Sequence, residues 1–176
     1  MAFPWPVKLA GLHSGTKPRA ETKAGLLLTE LLTVDRIKIP LEATTKDELL
    51  RELVAVLGTV RRGDEQEEIL RAVRERESVL STGIGHGVAI PHGKSAAVSE
   101  LRMAAGRVAA PVDFDALDGQ PVELLFLLVG PESAAGPHIK ALSRISRIVR
   151  RDEVRDRLIA ARDAGEFLRA LQEAEA

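Results

Sequence analysis

Between Arg76 and Lys94 the chain reads R-E-S-V-L-S-T-G-I-G-H-G-V-A-I-P-H-G-K, and this stretch gathers most of the residues that could do chemistry. Gly83, Gly85 and Gly87 alternate, so the backbone can take up positive φ and approach a ligand closely. Successive N–H groups in such a loop can form an anion-binding nest, and Ser81 and Thr82 add hydroxyl donors beside it. Val88-Ala89-Ile90 then reads as an extended apolar segment running into Pro91, His92 and Gly93. The pattern predicts an imidazole at the end of a strand beside a donor-rich loop, a setting for a group that carries or contacts phosphate. A tight turn uses the same glycines, so spacing alone leaves both readings open.

Other chemistries fit less well. The chain has no G-x-x-x-x-G-K-[ST] loop, and G-x-G-x-G is not the dinucleotide fingerprint G-x-G-x-x-G. His86, His92 and His138 could converge on a metal, but their spacing is not that of a zinc site and there is no cysteine to complete one. We therefore expect no metal and no cofactor. No acidic pair or catalytic triad suggests a hydrolase.

Elements able to position these residues can be read on either side. Ile37-Lys38-Ile39-Pro40-Leu41 alternates as a short strand. Thr45 to Glu48 is a capping box, and Leu49, Leu50, Leu53, Val54 and Leu57 share one helical face that Gly58 terminates. Asp64 opens a second helix with acidic residues in its first turn and Ile69, Leu70 and Val73 facing inward. Leu101, Met103, Ala105 and Arg107 alternate as a strand, and Val122–Val129 is the continuous apolar run of a strand covered on both faces. A helix is expected from Pro137 with Ile139, Leu142, Ile145 and Val149 inward, then two shorter ones near 154–161 and 166–173. Helices before and after a set of strands predict an α/β fold with helix, sheet and helix layers.

The 176 residues suit one domain, expected over 25–176. Residues 1–24 read as an N-terminal extension or linker, with docking of Phe3 and Trp5 as the other reading. Lysine and arginine number 25 against 26 acidic residues, and aromatics are 3%, which disfavours a nucleic-acid partner. The longest apolar run is far short of the ~20 residues needed to span a bilayer, so no direct membrane insertion is expected. Absence of cysteine and of a signal sequence fits a cytoplasmic setting.

S-T-G-I-G-H-G-V-A-I-P-H-G-K resembles the active-site signature of the type-2 IIA domains of the bacterial phosphoenolpyruvate:sugar phosphotransferase system. These are the fructose/mannitol IIA domains and the nitrogen-regulatory IIA proteins. Arg76-Glu77 lies where the family has Arg-Glu, and Pro111 to Phe114, Leu124 to Val129 and Gly136 to Leu142 resemble later segments in the right order. The resemblance implies that His92 is transiently phosphorylated, that Arg76 contacts the phosphoryl group and that His138 donates a hydrogen bond to it. It also implies that Ser81, Thr82 and Gly83 line the phosphate pocket, and that a mixed β-sheet is sandwiched between helices on both faces. His86 departs from the pattern, where a small polar residue is common, and is read as a tolerated loop residue. The implied donor is an HPr-like phosphocarrier protein, and the implied recipient is a IIB domain or a regulatory target protein. No IIB-like or membrane region is fused to this chain, which leans the expectation toward a stand-alone nitrogen-regulatory protein over a sugar-transport subunit.

Overall fold

The computed structural model describes residues 25–58 and 63–176, so the extension expected over 1–24 lies outside the described residues. One mixed sheet of six strands organises the molecule: β1 (Ile37–Leu41), β2 (Gly83–Gly85), β3 (Val88–Ala89), β4 (His92–Lys94), β5 (Arg102–Val112) and β6 (Val122–Gly130). The spatial order is β1-β5-β6-β3-β2, and β4 continues alongside β6 beyond β3. Strand β6 pairs antiparallel with β5 but parallel with β3 and β4. Pro91, which lacks an N–H, falls between β3 and β4; its carbonyl still accepts from Leu128, so the path along β6 is kept.

Strand β6 explains the layering. Leu124, Phe126 and Leu128 enter one core, while Val122, Leu125, Leu127 and Val129 enter the other. The first core is closed by α1 (Leu28–Leu31), α4 (Ala135–Val149), α5 (Asp152–Ala160) and α6 (Ala164–Glu175), and the second by α2 (Lys46–Val56) and α3 (Gly63–Val79). Helices therefore cover both faces of the sheet, as the sequence predicts. Helix α2 is capped by Thr45 Oγ1, which accepts from the Glu48 N–H, and the chain leaves it through Gly58 at φ +68°.

Two expectations need correction. Strand β5 begins at Arg102 and buries Met103, Ala104, Ala105 and Gly106 in succession between two helical layers, so the expected alternation of Leu101, Met103, Ala105 and Arg107 does not describe its two faces. Helix α4 begins at Ala135, ahead of Pro137, and its inward face is His138, Ala141, Ile145, Ile148 and Val149. Ile139 is 68% exposed. The helix is rotated so that an imidazole takes the inward position in the first turn, and the apolar neighbour is left outside.

Candidate functional site

His92 opens β4 and is half-buried. Its Nδ1 lies 2.8 Å from the Ile90 carbonyl oxygen. A carbonyl only accepts, so the ring hydrogen belongs on Nδ1 and the lone pair on Nε2. Burial, with the Arg76 charge acting in the same sense, holds the His92 pKa below the ordinary histidine value, against opposing effects from the Ile90 carbonyl and Glu77. A neutral ring with a fixed tautomer is a ready nitrogen nucleophile.

Helix α3 brings Arg76 to this ring, and a glycine makes the approach possible. A Cβ on Gly93 would stand 3.1 Å from the Ala72 carbonyl carbon and 3.1 Å from the Val73 nitrogen. Only a glycine lets β4 and α3 pack this closely without one of them giving way. Arg76 sits one turn beyond Val73, on the His92 side, and its Nη1 donates to the Leu80 carbonyl at 2.9 Å. The guanidinium is thereby held at the helix end with other N–H groups to offer.

His138 comes from the first turn of α4 and is 4% exposed. Its ring centroid is 5.7 Å from that of His92, the planes inclined at 64°. Gly130, at the end of β6, lies against it: a Cβ there would be in ordinary contact with His138 Nδ1 at 3.6 Å and tight against Leu101 at 3.0 Å. That Nδ1 has no hydrogen-bond partner among the described residues. Burial above all, then the nearby His92 and Lys94, push its pKa down to about 4 despite the opposing Glu132 charge. His138 is thus a neutral imidazole. Lys94 and Glu132 pair across the rim at 3.2 Å.

The remaining predicted residues are placed differently. Ser81 Oγ donates to the Phe114 carbonyl and accepts from the Gly83 N–H. Thr82 gives both its N–H and its hydroxyl to the Glu77 carboxylate. The donors of Ser81, Thr82 and Gly83 are therefore engaged within the fold. The glycine run is a hairpin turn between β2 and β3, with Gly85 at φ +97°, His86 at φ +56° and Gly87 at φ +75°, and the His86 N–H donates to Asp118. His86 lines a cavity of about 290 Å³ with Ser146, Val149 and Arg150 at the far end of α4. That is about 16 Å along the helix axis from His138, so two of the three histidines meet and the third does not. Among the described residues no group of three or more His, Asp or Glu could hold a metal ion.

Glu77, read in the sequence only as the partner of Arg76 in an Arg-Glu pair, is a carboxylate 7% exposed that accepts from Thr82. Its position directly after Arg76 was the available signal. Val79 (80% exposed), Leu80 (57%) and Ile139 (68%) are exposed apolar side chains close in sequence to Arg76 and His138 that no sequence pattern singled out.

A sheet between helices, with two imidazoles facing each other at the end of its central strand, is the architecture of a phosphoryl-carrier domain. The sequence profile of the phosphoenolpyruvate-dependent sugar phosphotransferase system, EIIA 2, matches residues 30–174, and the chain belongs to that family. It is 41% identical over 134 residues to the fructose-specific EIIABC component of Bacillus subtilis, covering 76% of this chain but 21% of that protein. It is 37% identical over 137 residues to a nitrogen regulatory protein of Bradyrhizobium diazoefficiens, covering 78% of this chain and 89% of that one. Among solved structures, the nitrogen regulatory protein IIA-Ntr of Neisseria meningitidis superimposes with a TM-score of 0.76 at 34% identity, over 82% of this chain and 98% of that one. No helix among the described residues is long and apolar enough to cross a membrane.

Proposed function

We propose that residues 25–176 accept a phosphoryl group from an HPr-like phosphocarrier protein onto Nε2 of His92. The observation that carries this reading is the Nδ1 to Ile90 hydrogen bond, which leaves Nε2 with the lone pair on a ring that burial keeps neutral. In the transfer, the Nε2 lone pair attacks phosphorus in line, and the donor nitrogen takes back the electron pair of its breaking P–N bond. The Nδ1 hydrogen stays in place, so no proton need move. Arg76 offers two parallel N–H groups to the phosphoryl oxygens, and His138 offers one N–H from the opposite side. Ser81, Thr82 and Gly83 contribute by holding the loop beneath the acceptor, their donors being committed there. Val79, Leu80 and Ile139, exposed and close in sequence to Arg76 and His138, offer the kind of apolar contact a docking protein covers.

Of the two branches of the family, the regulatory one is favoured. The nitrogen regulatory protein IIA-Ntr superimposes with a TM-score of 0.76 at 34% identity, against 0.66 at 23% for a mannitol IIA protein. In that reading, phosphorylation adds roughly two negative charges to the site and so changes which target protein binds there. The 41% identity to the fructose-specific component supports the second reading, a sugar-transport IIA that passes the group to a IIB domain.

Incubation with phosphoenolpyruvate, enzyme I and HPr tests the shared step. The protein should gain an acid-labile, base-stable phosphoryl group, and folded His92→Ala should gain none. Full labelling of His92→Ala would overturn the proposal.

A further inference from the structure

Glu77 is a buried carboxylate that phosphoryl transfer, as described so far, does not use. Its oxygens accept the Thr82 N–H at 3.0 and 3.1 Å, the Thr82 hydroxyl, and Lys46 Nζ at 2.9 Å. The Thr82 carbonyl in turn accepts the Ile90 N–H at 3.0 Å, and the Ile90 carbonyl accepts from His92 Nδ1 at 2.8 Å. Hydrogen bonds made by Thr82 and by Ile90 therefore tie the last turns of α3, residue by residue, to the carbonyl that holds the nucleophile. We propose that Glu77 is a positioning residue for the transfer: by fixing the Thr82 backbone, and through it Ile90, it keeps the His92 hydrogen on Nδ1 and Nε2 aimed outward.

The intrinsic preference of a histidine ring is the reverse, with hydrogen on Nε2, so something must hold the minor tautomer, and the Ile90 carbonyl does so only while its own peptide is fixed. The N–H and C=O of Thr82, and those of Ile90, lie in different peptide groups, so the link is mechanical: Glu77 anchors the Thr82 backbone, and the Thr82 carbonyl anchors Ile90. Glu77 is suited to this. Burial alone would raise its pKa, but the Thr82 and Lys46 hydrogen bonds outweigh it and hold the group below the ordinary carboxylate value, so it is charged. Its charge also favours protonation of His92, opposing Arg76.

The neighbouring charges are few. Glu77 faces Lys46 of α2, which also pairs with Asp115 at 3.5 Å and lies 4.9 Å from the centre of the Phe114 ring. Asp47 and Arg74 line the same cavity, paired with each other at 2.6 Å. His92 is faced by Arg76 and Glu77 from α3 and by His138 from α4.

The role assigned to Glu77 rests on the function proposed above, but its test does not need transfer to occur. Nitrogen-15 spectra of the unphosphorylated full chain report which His92 nitrogen carries hydrogen. Wild type should show Nδ1–H. Glu77→Ala should show a mixture of tautomers, with kcat for transfer from phosphorylated HPr lowered roughly tenfold or more and KM little changed, as expected on loss of a charged hydrogen-bond partner. Glu77→Gln, which keeps an acceptor for the Thr82 N–H, should retain Nδ1–H and recover most of the rate, with His92 titrating lower than in wild type. A folded Glu77→Ala protein with the wild-type tautomer and rate would overturn the proposal. If that variant fails to fold, a folded Glu77→Met protein, which fills the space but accepts nothing from Thr82, with the wild-type tautomer and rate overturns it equally. A wild-type chain that HPr cannot phosphorylate would instead end the functional reading, leaving the tautomer comparison to decide the linkage.

Discussion

At the scale of the residue, the proposed function assigns one nucleophile, His92, and two supports, Arg76 and His138. Hydrogen bonds to charged groups contribute about 1.5–3 kcal/mol each, so losing Arg76 or His138 should slow transfer by roughly one to two powers of ten. Arg76→Lys should be nearly as slow as Arg76→Ala, because an ammonium cannot reproduce a planar fork. Rapid-quench transfer rates would settle this, and wild-type rates for Arg76→Ala and His138→Ala would place both outside the pocket. Glycine and proline punctuation singled out His92 in the sequence, whereas Arg76 and His138 entered only through the family resemblance; the fold sets the His138 ring 5.7 Å from that of His92. Glu77 was not legible as a positioning group. Its role depends on where the last turns of α3 meet Thr82, and that contact is made by packing α3 against β4. Ile139 was misread because an apolar period says which face is buried, yet His138 takes the inward place in that turn. The hydroxyls of Ser81 and Thr82 could be recognised as donors, but only the fold reveals that Phe114 and Glu77 already receive them.

At the scale of the element, two glycines separate positioning from stability. Gly93→Ala would force α3 away from β4 by a few tenths of an ångström, since the atoms met are backbone. Overpacking of this kind costs about 1–3 kcal/mol, and because α3 carries Arg76 the transfer rate should fall roughly tenfold as well. Gly106→Ala is the contrast. A Cβ there would lie 2.4 Å from the Lys38 carbonyl oxygen, between β1 and β5 and away from the site. It should lower the melting temperature at least as much, yet leave the rate per folded molecule unchanged. Equal rate losses in the two variants would show that α3 does not position Arg76. The long elements were plain in the sequence because β6 and α2 each bury a complete apolar set. Strands β2, β3 and β4 were not separable, since pieces of two and three residues are too short to show a period.

At the scale of the whole molecule, the paired histidines make stability depend on pH. His138 titrates at about 4 when folded, below its ordinary value of 6.5, so the unfolded chain takes up the proton first as pH falls. Stability is therefore complete above about pH 6.5 and declines toward pH 4. The loss between pH 7 and pH 4.5 should be about 2–3 kcal/mol, with His92 adding a smaller effect of the same sign. Urea unfolding at the two pH values measures it, and His138→Leu should show a flatter dependence. An unchanged midpoint in the wild-type protein would contradict a neutral, buried His138. The same argument predicts that phosphorylation of His92, by bringing negative charge beside His138, raises the pKa of His138.

The account turns on which nitrogen carries the phosphoryl group. Phosphorus–nitrogen coupling in nitrogen-15-labelled, HPr-phosphorylated protein reads this directly. The Ile90 hydrogen bond predicts a single phosphohistidine, on His92, bonded through Nε2 with hydrogen still on Nδ1. A phosphoryl group on Nδ1 of His92, or on His138 or His86, would contradict it.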